Sequence, residues 1–197
     1  MDFRADLHCH SSASDGSDEP LELLHLAKEA GLQGLSITDH DTIDAYTPEL
    51  FQEAKRLSIE LLTGVELSTE LGVHSVHLLG YGFPVDSPSF RSFLERMQEG
   101  RQERNRKILK KLQGKKMAIT EEELLAFAAR KREKRSIGRP HIAELLVEKR
   151  YVTSTQEAFA LYLREGASCY APGGRISPEE AIQALHEAKG KAVLAHP

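Results

Sequence analysis

Short apolar runs alternate with amphipathic segments at both ends of this 197-residue chain. Extended apolar runs predict five β-strands, at residues 3–7, 34–38, 60–65, 75–82 and 191–195. Apolar residues that recur with the period of a helix predict three helices between them, at residues 20–30, 45–58 and 178–189. Regular alternation of strands with helices is typical of an α/β fold with parallel strands. The two ends of the chain therefore predict one α/β body.

The middle of the chain interrupts this alternation. Residues 88–165 have helical periodicity throughout, and capping boxes at Thr120–Glu123 and Ser154–Glu157 predict helix starts inside the segment. A similar pattern at Ser177–Glu180 opens the helix that follows. We therefore predict that a helical insertion, residues 88–172, lies within the α/β body.

The composition is that of an ordinary globular protein, with 40% hydrophobic and 28% charged residues. No apolar run approaches the ~20 residues that cross a bilayer, so we predict no membrane span. The first residues, MDFRADLHCH, have neither the basic nor the apolar region of a secretory signal. Two cysteines, Cys9 and Cys169, are too few for a disulfide framework, which favours a reducing cytoplasm.

The net charge of −4 conceals an uneven distribution. Residues 91–139 hold 16 Lys and Arg against 7 Asp and Glu, a net of +9. The remaining residues hold 10 basic and 23 acidic side chains, a net of −13, and the two parts together give −4. A basic segment in an acidic body suggests a surface that binds phosphates. A solvated helical surface is the simpler interpretation of a charge run taken alone.

Residues able to bind metal ions follow or lie in nearly every predicted strand. They are His8, His10, His40, Glu66, His77 and His196. The strands of a parallel β/α barrel open onto one site at their carboxyl ends, so these side chains are expected to converge. His8 and His10 share one face of their strand, and Glu66 could bridge two ions through its two oxygens. The pattern predicts a metal site, to which Asp15 and Asp39 add carboxylates.

Several short motifs make the chain similar to a known family. They are DLHCHS at 6–11, SDG at 14–16, ITDHDT at 37–42, TGVELS at 63–68, HLLGYG at 77–82 and AHP at 195–197. Together they resemble the polymerase and histidinol phosphatase (PHP) superfamily over the whole chain. The insertion resembles that of the nucleoside 3′,5′-bisphosphate phosphatases and 5′→3′ oligonucleotide exonucleases, through RQERNRKILKKL at 101–112, SIGRPHIAELLVEKRYV at 136–152 and EAFALYLREGASCYAP at 157–172.

The resemblance implies a distorted PHP-type β/α barrel, which has seven strands in the family and about five in this chain. It divides the chain into a first barrel part at 1–87, a basic, substrate-facing helical insertion at 88–172 and a continued, truncated barrel part at 173–197. It also implies up to three divalent metal ions. Mixed imidazole and carboxylate ligands suit manganese, iron or zinc.

Matching motifs assign a set of ligands to each ion. The first ion would be held by His8, His10 and Glu66, the second by Asp15 and His40, and the third by Glu66, His77 and His196. Asp39 would orient a ligand. In the insertion, Arg104, Arg139 and His141 would bind phosphate, since the planar fork of arginine matches two phosphate oxygens.

The implied function is metal-assisted hydrolysis of phosphate monoesters, with a nucleoside 3′,5′-bisphosphate or a short oligonucleotide as the substrate. Metal ions would provide hydroxide near neutral pH and offset the charge on the phosphoryl oxygens. The basic insertion would bind the second phosphate of the substrate. Relatives often carry a lysine near Gly173, for which Arg175 could substitute here.

One family feature is missing. PHP proteins end in an Asp-x-His motif that supplies ligands to two ions, whereas this chain stops at Pro197, after its fifth predicted strand. We expect either a fragment of a longer enzyme or a metal site completed in another way. The main alternative is a weak or inactive PHP module that binds nucleic acid or a partner protein, although the chain keeps every ligand position that it is long enough to contain. Histidinol-phosphate phosphatase is a second alternative, but the RPHIA motif of the insertion argues against it. No obligate protein partner is evident from the sequence.

Overall fold

The computed structural model describes residues 3–72, 74–130, 136–172 and 176–196. Within these ranges the strands are β1 Ala5–Cys9, β2 Gly34–Ile37, β3 Glu60–Leu61, β4 Gly64–Leu71, β5 His74–Tyr81 and β6 Lys191–Leu194. The α-helices of the same ranges are α1 Pro20–Glu29, α2 Pro48–Leu57, α3 Pro88–Gly114, α4 Glu121–Arg130, α5 Arg139–Glu148, α6 Thr155–Ala158 and α7 Pro178–Glu187. A π-helical turn, Phe159–Leu163, continues α6.

The first three strands form a parallel sheet in the order β1-β2-β3. Ala5 lies opposite Gly34, which in turn lies opposite Glu60. Helices α1 and α2 connect the strands and bury Leu24 and Leu50 in the same core. The alternation of strands and helices predicted for this part is confirmed.

The other three strands form an antiparallel sheet in the order β4-β5-β6, so the prediction of parallel strands is wrong for this part. The connection explains the difference. Leu71 pairs with His74, which leaves only residues 72 and 73 between β4 and β5, whereas a parallel crossover needs about a dozen residues or more.

The two sheets meet where the chain changes its pairing partner. The strand predicted at 60–65 is divided into β3 and β4, because the chain leaves β2 after Leu61 and pairs with β5 from Gly64 onward. An isolated parallel bridge between His40 and Glu66 joins the two sheets. Glu66 therefore lies inside β4, whereas the sequence predicts that it follows the end of a strand.

The second predicted helix begins later than its apolar pattern suggests. It was expected over residues 45–58 but begins at Pro48. Proline disfavours helical dihedrals in the residue before it, and Thr47 instead caps the helix by accepting a hydrogen bond from Leu50 N (3.2 Å).

The insertion consists of several helices, which are separated by turns within the segment 88–165 that the sequence predicts as helical. Left-handed backbone at Lys116 (φ 65°) and Arg150 (φ 60°) lies just after α3 and α5. The predicted capping box at the start of α4 is confirmed, because Thr120 Oγ1 accepts from Glu123 N (3.2 Å) and Glu123 Oε2 accepts from Thr120 N (3.0 Å). Among the described residues, no helix has the length and apolar character needed to cross a membrane.

Two clusters of buried side chains stabilise the fold. The first packs α1, α2 and α7 against the strands and includes Phe90 and Met97 from the first half of α3. The second lies within the insertion and includes Ile108 and Leu112 from the second half of α3. One continuous helix thus connects the core of the body to the core of the insertion. The boundaries of the three predicted chain parts stay a prediction.

The outer strands β1 and β6 and the residues beside them expose apolar side chains. Phe3 is 62% exposed, Leu7 45%, Val193 49% and Leu194 52%. Unpaired sheet edges bind other strands readily, and natural proteins usually cover or charge them. These two edges are therefore suited to being covered by further polypeptide.

Candidate metal centre

The carboxylate of Glu66 lies at the centre of a cluster of histidines, and only 1% of its side chain is exposed. Its Oε2 atom lies 3.1 Å from Nε2 of both His8 and His10. Its Oε1 atom lies 2.6 Å from Nδ1 of His77 and 2.9 Å from Nε2 of His196. Imidazoles that are distant along the chain thus meet one buried carboxylate.

An irregularity in β1 directs His8 and His10 toward this carboxylate. The register with β2 shifts between Asp6 and Cys9, and the His8 N–H donates to Oδ1 of Asp6 (3.0 Å) in this segment. Bulges of this kind re-aim side chains and are frequent next to active sites. The ring centroids of His8 and His10 lie 5.4 Å apart, so the two rings lie on the same side of the chain, as expected from the sequence.

The antiparallel pairing of β4 with β5 brings His77 to Glu66. Ser68 lies directly opposite His77, so Glu66 is the diagonal neighbour of His77 on the same face. The segment after β6 continues the pairing, because Ala195 N donates to the carbonyl oxygen of His77 (3.0 Å), and His196 follows directly. His77 therefore enters the cluster from the middle of an antiparallel strand.

His40 and Asp15 complete the cluster on one side. His40 Nδ1 lies 3.7 Å from Glu66 Oε2, and its ring stacks on that of His10 with centroids 4.7 Å apart. Asp15 lies 3.6 Å from both rings, with Oδ1 facing His10 Nδ1 and Oδ2 facing His40 Nε2. The side chains of Asp15 and His40 are 23% and 15% exposed, so a ligand from solvent can reach them.

The turn that carries Asp15 requires glycine at position 16. A Cβ atom on Gly16 would lie 2.2 Å from the carbonyl oxygen of His10, which is backbone and cannot rotate away. The Gly16 N–H donates to the carbonyl oxygen of Ser11 (3.0 Å), which closes the loop around Asp15. The glycine of the SDG motif is therefore required for steric reasons.

Replacing Gly16 with alanine should displace this turn and move Asp15 away from the histidines. Forced packing of this kind costs about 1–3 kcal/mol, so we expect a thermal midpoint lower by at least about 2 °C and weaker Mn²⁺ binding. Gly114→Ala is the matched control, because nothing lies within 4 Å of a Cβ atom there. Equal midpoints and equal Mn²⁺ affinities for the two variants would contradict this account of the turn.

Asp39 binds the loop that carries Asp15. Its carboxylate accepts hydrogen bonds from Ser11 N (2.7 Å), Ser11 Oγ (2.6 Å) and Ser14 Oγ (2.6 Å). Burial raises the pKa of Asp39, although the hydrogen bonds from both serines act in the opposite direction. If Asp39 orients a ligand, as the sequence predicts, it does so through the loop that carries Asp15.

The histidines and Glu66 shift one another's pKa values. Burial alone would raise the pKa of Glu66, but hydrogen bonds from His10 and His77 hold it well below its usual range. Burial lowers the pKa of His10, but its hydrogen bond to Glu66 and the nearby carboxylates outweigh that effect and raise it. Burial, followed by the charge of Arg101, holds the pKa of His40 well below its usual value. An ionised carboxylate and a neutral imidazole are the forms that bind metal.

Two groups of donor atoms in the cluster are spaced to hold an ion. One is His8, Glu66 and His196, and the other is His10, His40 and Glu66, with the donor atoms of each group within 4.8 Å of one another. Nδ1 of His10 and Nδ1 of His40 are buried and have no hydrogen-bond partner among the described residues. Buried polar atoms normally have partners, and mixed imidazole and carboxylate donors suit transition ions. The residues present therefore fit divalent metal ions.

This grouping differs from the ligand sets that the resemblance implies. His8 and His10, both expected on the first ion, fall into different groups. His40, expected with Asp15 on the second ion, falls into a group with His10. Glu66 belongs to both groups, which is consistent with a bridging role. The assignment of each ligand to an ion stays a prediction.

Three histidines that the sequence analysis does not name as ligands lie outside the cluster: His25, His74 and His186. His25 pairs with Glu53 (3.0 Å) and His74 with Glu165 (3.3 Å), whereas His186 is exposed on α7. Three residues named in the sequence analysis lie outside the part of the chain that the structure describes: Gly173, Arg175 and Pro197.

A cavity of about 300 Å³ lies between α3 and β4. Its lining combines residues that neighbour the histidine cluster with basic residues of α3, and includes Asp41, Ser68, Arg96, Arg101, Arg104 and Glu180. Arg96 pairs with Glu180 (3.1 Å) and Arg101 with Asp41. In Arg104, by contrast, Nε is buried without a hydrogen-bond partner among the residues that the structure describes.

The three residues predicted to bind phosphate differ in their surroundings. Burial, followed by the charges of neighbouring arginines, lowers the pKa of Arg104 to about 10. The guanidinium of Arg139 lies over the ring of Tyr170, 5.6 Å from its centroid. His141 is only 2% exposed, and its Nδ1 accepts a hydrogen bond from Gly138 N (3.2 Å) at the start of α5.

Sequence reasoning missed a linked group formed by Arg101, Asp41 and Ser68. Arg101 Nε donates to Asp41 Oδ2 (2.9 Å), and Nη2 donates to Ser68 Oγ (2.7 Å). All three residues lie in the motifs quoted above, but Arg101 and Asp41 are 60 residues apart in the chain. No local spacing could have shown that they meet.

Comparisons with known proteins are consistent with this arrangement. The PHP domain family matches residues 6–165. The chain is 37% identical over 194 residues to the 5′-3′ exoribonuclease Rnm of Salmonella typhimurium. The aligned region covers 98% of this chain and 64% of that protein. It is 33% identical over 192 residues to the 3′,5′-nucleoside bisphosphate phosphatase of Chromobacterium violaceum, covering 98% of this chain and 66% of that protein.

The fold also has a counterpart among solved structures. A protein from Bifidobacterium adolescentis that is proposed to be a metal-dependent phosphoesterase superposes with a TM-score of 0.86 at 30% identity, covering 100% of this chain and 68% of that one. The chain spans just under two thirds of the length of the two curated relatives, 64% and 66%. The family match covers most of the described residues, including the turns that carry His10, Asp15 and His40. The chain belongs to the PHP domain family.

Proposed function

We propose that the intact protein is a metal-dependent phosphoesterase that hydrolyses phosphate monoesters of nucleotides. It would act as a nucleoside 3′,5′-bisphosphate phosphatase or as a 5′→3′ exonuclease on short oligonucleotides. The observation that carries this proposal is the buried Glu66 carboxylate, shared by two groups of imidazole donors. The names of the two curated relatives support a nucleotide or oligonucleotide substrate.

The metal ions would be manganese, iron or zinc, held by seven side chains of the cluster: His8, His10, Asp15, His40, Glu66, His77 and His196. When bound, such ions act as Lewis acids toward phosphoryl oxygens and lower the pKa of water. Glu66 belongs to both donor groups, so it would help to hold an ion in each of them.

Arg104 is the strongest candidate for binding a second phosphate of the substrate. It lines the cavity next to Asp41 and Ser68, which neighbour His40 and Glu66 in sequence. Its buried Nε has no hydrogen-bond partner among the described residues, and a phosphate oxygen would supply one.

Arg139 and His141 would support this contact from the start of α5. The Arg139 guanidinium lies over the ring of Tyr170, and its Nη1 donates to the carbonyl oxygen of Leu163 (3.3 Å), so its other N–H groups would bind the phosphate oxygens. His141 would act less directly, because its Nδ1 already accepts from Gly138 and thereby holds the turn from which Arg139 projects.

We also propose that strands beyond those described here complete the PHP-type barrel. The curated relatives are longer than this chain, and the apolar residues Phe3, Leu7, Val193 and Leu194 are exposed along β1 and β6. The crystal structure of a version extended to a terminal Asp-x-His motif tests this idea. Added strands paired with β1 and β6 are expected, and edges left uncovered would contradict it.

A cytoplasmic location is likewise a proposal. It is supported by the cysteines, because Cys9 and Cys169 are both free thiols, as is usual in a reducing compartment. Cell fractionation with an antibody against the protein would test it, and recovery in an oxidising compartment would contradict it.

The test of the proposed function is metal-dependent release of phosphate or nucleotide. The 197-residue chain and the extended version are stripped with chelator and reloaded with Mn²⁺. Each is then given a nucleoside 3′,5′-bisphosphate, a nucleoside 5′-monophosphate or a 5′-phosphorylated oligoribonucleotide. We expect the extended version to hydrolyse the bisphosphate or the oligonucleotide fastest, and only with metal. Oligonucleotide binding without hydrolysis would contradict the proposal and favour the alternative of a binding module.

A further inference from the structure

Arg101 occupies an unusual position for a charged side chain. It lies in the middle of α3, between Met97 of the body core and Ile108 of the insertion core, and it is only 9% exposed. Burial of a guanidinium is costly unless the charge is paired and its N–H groups find acceptors. The contacts of Arg101 therefore show which segments it holds in place.

The guanidinium of Arg101 binds one residue from each of two metal-binding segments. Nε and Nη2 both donate to Oδ2 of Asp41, which directly follows His40. Nη2 also donates to Oγ of Ser68 (2.7 Å), which lies two residues beyond Glu66 on the same face of β4.

Asp41 ties the same two segments together through its backbone and its other carboxylate oxygen. Its N–H donates to the carbonyl oxygen of Glu66 (2.9 Å), and its Oδ1 accepts from Ser68 N (2.7 Å). The backbone of Asp41 is left-handed (φ 54°), a conformation that residues other than glycine rarely adopt and that needs support from its surroundings. Gln98 of α3 adds such support by donating to the carbonyl oxygen of Asp41 (3.0 Å).

Arg101 also contacts the segment that carries the proposed phosphate-binding residues. A Cβ atom on Gly138 would lie 2.7 Å from Arg101 Nη1, so the turn before Arg139 packs directly on the guanidinium. Because Asp41 balances its charge, Arg101 is better suited to holding these segments than to binding substrate.

We propose that Arg101 is a positioning residue that fixes His40 and Glu66 relative to the phosphate-binding end of the insertion. This role of Arg101 rests on the proposed function and extends it, because it gives α3 a part in metal binding. The ion in the group formed by His10, His40 and Glu66 should depend on Arg101, whereas the ion beside His8 and His196 should depend on it less.

The test is the metal affinity of the 197-residue chain, measured by calorimetry with Mn²⁺ and by visible absorption with Co²⁺. We expect Arg101→Leu to weaken one of two binding events at least tenfold. Loss of a nearby positive charge alone would tighten the binding of a cation, so weaker binding indicates displaced ligands. The control is Arg106→Leu, which makes the same charge change on an exposed residue of α3 that pairs with Glu121.

Two milder variants keep the test decisive if Arg101→Leu does not fold. Arg101→Lys keeps the charge, but a lysine lacks the rigid fork that binds Asp41 and Ser68 together. Gly138→Ala places a methyl group against Nη1 of Arg101. Both should weaken the same binding event by a smaller factor. If neither the wild-type chain nor the extended version binds metal, the proposed function itself fails, and if only the extended version binds metal, the same variants are compared in that version. If it binds metal and all Arg101 and Gly138 variants match Arg106→Leu, only the role of Arg101 is overturned.

Discussion

Replacing Glu66 with glutamine is expected to abolish hydrolysis and to remove more bound metal than any single histidine substitution. Its carboxylate belongs to both donor groups, whereas each histidine belongs to one at most. Glutamine has nearly the same shape but lacks the charge that balances the ions. We expect kcat of the extended, metal-loaded protein to fall at least about a thousandfold, equivalent to roughly 4 kcal/mol at the transition state.

Elemental analysis and steady-state kinetics together measure this effect. Glu60→Gln makes the same chemical change at an exposed strand position and should keep its metal and its activity. His40→Ala should reduce metal content only in part, because the group formed by His8, Glu66 and His196 stays intact. A Glu66→Gln protein with the metal content of Glu60→Gln would refute the bridging role.

Replacing Arg104 or Arg139 with alanine should erode the preference for a substrate with two phosphates. A charge-assisted hydrogen bond contributes about 1.5–3 kcal/mol, so kcat/KM for a nucleoside 3′,5′-bisphosphate should fall at least about tenfold. The value for a nucleoside 5′-monophosphate should fall less, since that substrate lacks the second phosphate. Rising salt should also weaken oligonucleotide binding, because the contacts of a basic surface are mainly ionic.

The matched control for this prediction is Arg106→Ala. Arg106 lies two residues from Arg104 on α3, but it is 56% exposed and pairs with Glu121 (2.9 Å). The Arg106→Ala variant should keep the wild-type preference between the two substrates. If Arg104→Ala and Arg139→Ala slow both substrates equally, their proposed phosphate contacts are wrong, while the metal centre is unaffected.

Much of the histidine cluster could be predicted from the sequence because its members follow local rules. His8 and His10 lie two residues apart, and His40 follows the end of a buried strand. Such spacing limits where a side chain can point, whatever the remainder of the fold does. For that reason the structure brings the histidines named from sequence alone to one carboxylate.

The features that sequence could not predict depend on contacts between distant segments. The antiparallel direction of β5 follows from the short connection between β4 and β5. The apolar pattern of β5 itself does not show in which direction the strand runs. The contact of His77 with Glu66 is a result of that pairing register, and the contact of Arg101 with Asp41 joins segments 60 residues apart. A charge run shows that arginines are numerous. Only the structure distinguishes Arg96, which pairs with Glu180, from Arg104, whose buried Nε has no hydrogen-bond partner in the described part of the chain.

The most direct test of the metal centre is anomalous diffraction from crystals of the 197-residue chain grown with Mn²⁺. We expect anomalous peaks at bonding distance, about 2.0–2.3 Å, from Glu66 and from imidazoles of each donor group. The same crystals of Glu66→Gln should show weaker peaks or none. Wild-type crystals with full Mn²⁺ occupancy elsewhere and no peak beside Glu66 would contradict a metal centre at this carboxylate.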